Sequence, residues 1–145
     1  MLGRKNYKRE ELDQAKAAID HQLAAYRDLV AAIEGVPTTD PKLKAALEAF
    51  EPLFARNMTL VLDRYFVHRL RGTTGKDGNP LNEVELMADS LMNNDGVLRG
   101  NNVIKLIPGE SVLKIEIGDR IRLRADDFER LARAFFAEIE ARFVA

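Results

Sequence analysis

Apolar residues recur at helical spacing through the first two-thirds of the chain and at strand spacing after that. The change of period predicts an α+β fold. Over residues 8–34, Leu12, Ile19, Leu23, Tyr26, Val30 and Ile33 fall in steps built from threes and fours, the seam of an amphipathic helix. Lys16 occupies one seam position and weakens its start, while Ala15, Ala18, Ala25 and Ala32 flank the seam and let a neighbour come close. Gly35 ends this helix and a short loop follows. Asp40-Pro41 opens the next, because Asp caps free amides and Pro at the first helical position forfeits no hydrogen bond. Its stripe is Leu43, Leu47, Phe50, Phe54, Val61 and Tyr65. Pro52 lies inside that stripe and predicts a kink, or a break into two helices near Glu51. Beyond it, Leu53, Met58, Leu60, Leu62, Phe66, Val67 and Leu70 cover most of the circumference, the pattern of a central helix.

Three glycines between Gly72 and Gly78 mark a loop. Asn79-Pro80 repeats the cap-plus-proline signal and starts a third, short helix carrying Leu81, Val84, Met87, Ala88 and Leu91, stopped by Asn93-Asn94-Asp95-Gly96. Segments 103–107, 112–117 and 120–124 then alternate apolar and polar residues and predict three strands, with turns at 108–111 and 118–119. Asp126 followed by Glu129 predicts the start of a last helix with the stripe Phe128, Leu131, Phe135, Ile139 and Phe143. The expectation is one α+β domain over 1–145. Residues 1–92 form a long N-terminal helical hairpin with a kinked central helix and a third short helix. Residues 97–145 form a three-stranded antiparallel β-meander and a C-terminal helix.

Composition removes much chemistry. The absence of cysteine excludes disulfides, thiolate metal sites, iron–sulfur clusters and cysteine nucleophiles. The histidines are His21 and His68, and Ala18 and Tyr65 stand where a Glu-x-x-His metal motif needs glutamate. No metal, cofactor or catalytic residue is assigned, and the reading leans away from an enzyme. The basic start runs into Asn6, Tyr7, Lys8 and Arg9 rather than an apolar stretch, and no apolar run approaches the ~20 residues that span a bilayer. A cytoplasmic protein without membrane contact is expected. The 22 Lys and Arg against 23 Asp and Glu, a net of -1, exclude a globally basic binder but not a local basic patch.

Two local patches stand out. Gly72-Thr73-Thr74-Gly75-Lys76 has the vocabulary of a phosphate loop, but Leu70 replaces its first glycine and Asp77 its hydroxyl residue. A looser anion or ligand site remains, from His68, Arg69, Arg71, Lys76 and Asn79, aided by free amides at the start of the third helix. The plain alternative is a connecting loop. In the strands, alternation places Lys105, Lys114, Arg120, Arg122 and Arg124 together on one face, opposed by Glu116, a surface suited to a polyanion. That face has no stacking aromatics, and a solvated surface explains it equally simply. The heptad seam packs either within the chain or across a homodimer, and Phe66, Phe136, Val67 and Val144, off the main stripes, leave room for a self-association surface. The leading expectation is therefore a non-enzymatic module that binds itself or another protein. Nucleic acid or another polyanion is a less favoured partner, and a small-molecule or anion-binding protein or enzyme centred on His68 and the 71–79 loop is the third reading.

Overall fold

The described helices start where local hydrogen-bonding devices place them. The computed structural model describes residues 7–37, 40–67 and 73–144. In it α1 spans Arg9–Glu34, α2 Pro41–Leu62, α3 Pro80–Asn93 and α4 Ala125–Phe143. The Asp40 carboxylate accepts from the Lys42 amide at 2.9 Å, and the Asn79 Oδ1 accepts from the amides of Leu81 (2.9 Å) and Asn82 (3.2 Å). The last helix starts slightly earlier than Asp126 suggested. Arg124 is its N-cap residue and donates its amide to the Asp127 carboxylate at 2.9 Å, so Asp127 rather than Glu129 closes the first turn. A carboxylate from another helix helps, since Glu51 accepts the Ala125 amide at 2.9 Å. The expected break at Pro52 does not occur. One helix runs through it, with Pro52 itself exposed. The irregularity comes later, as a π-helical turn at Asp63–Val67.

The β-meander is overturned, and with it the α+β class: the described residues form a helical fold without a sheet. Among the described residues, the pairings of strand type are isolated bridges joining Tyr7 to Val144 and Val97 to Arg120. The period of two is nevertheless physical. Ile121 and Leu123 are buried while Arg120, Arg122 and Arg124 between them are exposed, as in any extended chain laid across helices. What is missing is a neighbouring strand, because each segment finds another partner. The amides of Leu98 and Ile121 donate to the carbonyls of Asp119 and Gly96, tying 118–121 back to 96–98. The Lys105 amide donates to the Lys76 carbonyl at 2.8 Å. A Cβ on Gly78 would lie 2.4 Å from the Lys105 carbonyl oxygen, so this approach requires glycine, which also holds a φ of +84°. The amides of Val112 and Leu113 donate to the buried Glu83 carboxylate of α3, at 2.8 and 3.1 Å. The predicted turn at 108–111 is a short 3-10 turn, Pro108–Glu110.

The core is made by α3, α4, the first two-thirds of α1 and the second half of α2. Leu12 and Ile19 meet Leu62, Leu81, Met87, Phe128, Leu131 and Phe135, all essentially without solvent contact. Ala55, Met58, Thr59 and Leu62 of α2 are buried, whereas no residue from 41 to 54 is. The expected central helix is thus central over only half its length. Phe66 and Phe136 are buried in the core, so these off-stripe residues do not form a surface. Tyr7 and Phe143 meet there as well: the Tyr7 amide donates to the Phe143 carbonyl at 2.6 Å, and Phe66 lies 5.0 Å from Tyr7 and 5.8 Å from Phe135, ring centre to ring centre. No described helix is long and apolar enough to cross a membrane.

Candidate functional site

The α1 seam is buried through Leu12, Ile19, Leu23 and Tyr26, then stops being buried while the helix goes on. Val30 and Ile33 are only half-buried. The reason lies in α4, which begins at two fixed points. Arg27 of α1 holds Asp126 at 2.9 Å and also pairs with Glu129. Glu51 of α2 holds the Ala125 amide and lies 3.6 Å from the Arg124 guanidinium. Past these clamps, the last turns of α1 and the first half of α2 extend as a two-helix arm, and among the described residues no third helix lies over its seam.

Between the arm helices lies an open groove of about 680 Å³. Its apolar walls are Val30 and Ile33 of α1 with Leu43 and Leu47 of α2; Tyr26 and Ala125 close the inner end. Tyr26 stacks on Phe54 at 4.4 Å, and Phe50 beside them is 45% exposed. Burial, then the nearby Glu51 carboxylate, raises the Tyr26 pKa, with Arg124 opposing, so the phenol stays protonated. Bonding to Glu129 raises the Arg27 pKa despite partial burial, which keeps this clamp charged. Lys44, Glu48 and Glu34 stand at the groove's edge. Chemically, the groove offers apolar contact with a charged rim, the pattern of a recognition surface for an amphipathic helix. A second groove, of about 530 Å³, lies between α1 and α4, where Arg27, Glu129, Arg133 and Glu140 form ion pairs within the chain.

The sequence-derived patches are placed differently. His68, Arg69 and Arg71 lie outside the described residues. Lys76 is exposed. Asn79 is occupied in building the loop: its Oδ1 takes the Leu81 and Asn82 amides, and its Nδ2 donates to the Thr74 carbonyl at 2.7 Å and to Asp77 at 2.8 Å. That bond from Asn79 lowers the Asp77 pKa. Asn82 and Arg142 complete the scaffold by donating to the carbonyls of Gly75 and Thr74. The amides at Leu81 and Asn82 are therefore already engaged by a side chain. His21 is exposed on α1.

Without a sheet, the five basic residues of the expected strand face do not share one. Lys105, Lys114 and Arg122 are exposed on separate stretches, Lys114 with a φ of +56°. Arg120 donates to the Asp95 carbonyl at 2.8 Å, and Arg124 faces Glu51. One juxtaposition was unforeseen, the backbone bond that sets Lys105 beside Lys76. No group of three or more His, Cys, Asp or Glu among the described residues could hold a metal ion. The groove residues were visible in sequence as seam positions, but their exposure depends on where α4 starts. Glu51 and Glu83, which fix distant amides, carry no local signal at all.

No protein-family model, curated protein or solved structure matches the chain.

Proposed function

We propose that this chain is a non-enzymatic, cytoplasmic partner-binding module and that the groove between α1 and α2 is its recognition surface. The observation carrying this reading is that Val30, Ile33, Leu43 and Leu47 continue the core seam beyond the point where α4 covers it. An apolar seam leaves water when a helix lies along it, and roughly 25 cal/mol is gained per Å² of apolar surface so covered. The two clamps at Arg27 and Glu51 hold the groove's inner end in place, so little ordering is left for the moment of binding. A cytoplasmic location belongs to this reading because a chain without cysteine makes no use of an oxidising compartment.

A photo-cross-linking side chain at Leu47 tests it. A cross-linked product of defined mass, formed in cells from position 47 and suppressed by Val30→Asp, is the expected result. The same group at Met92, 68% exposed on α3, is the control. If position 47 yields no more product than position 92, the groove is not a recognition surface.

A further inference from the structure

We propose that the occupant of this groove is the arm of a second copy of the chain, the two arms packing antiparallel about a two-fold axis that crosses α2 between Lys44 and Glu48. The inference rests on the groove being a recognition surface and names its partner. Two helices with an uncovered seam are half of a four-helix bundle, and the arm has that form past the clamps at Arg27 and Glu51. The charges indicate which other half fits. Lys44 and Glu48 are one helical turn apart, both exposed and both at the groove's edge, and neither forms an ion pair among the described residues. A two-fold interface presents the same patch from both sides, so a patch meets itself favourably only if it is self-complementary. With the axis midway between the two residues, Lys44 of each copy faces Glu48 of the other, and two cross-pairs form at once. Leu47 then meets its own counterpart beside the axis, and Leu43 flanks it toward the rim. Of the remaining rim charges, Arg27 and Arg124 are held by Glu129, Asp126 and Glu51, and Glu34, the last residue of α1, lies outside the two cross-pairs.

Charge reversal gives a test that a merely structural effect does not imitate. Sedimentation of the purified full chain is expected to show a dimer. Lys44→Glu alone sets acid against acid twice and Glu48→Lys alone sets base against base twice, so each single variant should dimerise roughly tenfold or more less tightly. An equimolar mixture of the two variants restores both cross-pairs and should dimerise again. Both positions are exposed, so circular dichroism should show an unchanged fold. A wild-type chain that stays monomeric at its highest soluble concentration overturns the second copy as occupant, while the cross-linking result at Leu47 independently decides the groove reading. A dimer indifferent to both reversals, or one the mixture does not restore, overturns the placement on α2.

Discussion

The two ends of the helical assembly are built from similar residues and are finished in opposite ways. At one end Tyr7, Phe66, Phe135 and Phe136 enclose one another, and the backbone of Tyr7 is bonded to that of Phe143. At the other, Val30, Ile33, Leu43 and Leu47 line an open groove. The closed end has segments arriving from both ends of the chain to cover it. The open end has only the two helices of the α1–α2 hairpin, because α4 is pinned to start beside Arg27 and Glu51. The difference shows that an apolar stripe does not by itself say whether it serves stability or recognition. What decides is whether the chain supplies a third surface.

The sharpest way to break this contrast is to empty the closed end. Phe135 is fully buried and contacts Phe66 and Phe136 edge to ring, so Phe135→Ala should destabilise the fold by about 3–5 kcal/mol through lost burial and the cavity left behind. Urea unfolding followed by circular dichroism measures it. A loss below about 1 kcal/mol would mean that this end is not close-packed.

Glu83 is a carboxylate enclosed by protein, and it accepts hydrogen bonds from the amides of Val112 and Leu113. Burial raises its pKa, and the two amide bonds offset only part of that effect. A group whose pKa is higher in the folded state binds protons more readily there. Its stabilising contribution is therefore complete below the unfolded pKa and is lost as pH rises through the folded one. Glu83→Gln removes this titration. Between about pH 7 and about pH 5, the stability difference between wild type and variant should move in favour of wild type. Asp77 and Glu140 have lowered pKa values and the opposite pH dependence, but both chains share them and they cancel in the difference. A difference that does not change with pH would show that the carboxyl is not held in an apolar setting.

The helices were legible because their signals are local. Asp40-Pro41 and Asn79-Pro80 cap the helices they announce, and the seam from Leu12 to Tyr26 is buried as its spacing implies. The strands misled because alternation reports an extended backbone and says nothing about its neighbour. Ile121 and Leu123 turn inward, yet the adjoining backbone is held by Gly96, and Val112 and Leu113 by a carboxylate some thirty positions earlier. Pro52 did not break α2 in two, and the helix continues through it. The basic residues were grouped by an expected sheet face, and the described residues contain no sheet to supply it. The groove was half legible: its residues are seam positions, but that they stay uncovered follows from long-range clamps at Arg27 and Glu51.

The smallest effect on folding is expected where the effect on binding is largest. Leu47 is half-exposed in the groove wall and keeps much of its contact with water in the isolated chain, as in the unfolded one. Removing its side chain therefore gives up little burial on folding. Leu47→Ala should cost less than about 1 kcal/mol in the same urea assay, under conditions where the chain is monomeric. In the assembled state the same side chain is covered from both sides, so its loss should weaken association more than it weakens the fold. Measuring both quantities on one variant separates the two uses of an apolar seam. If Leu47→Ala cost as much as Phe135→Ala in the monomer, the arm would be closed like the other end, and the contrast between them would fail.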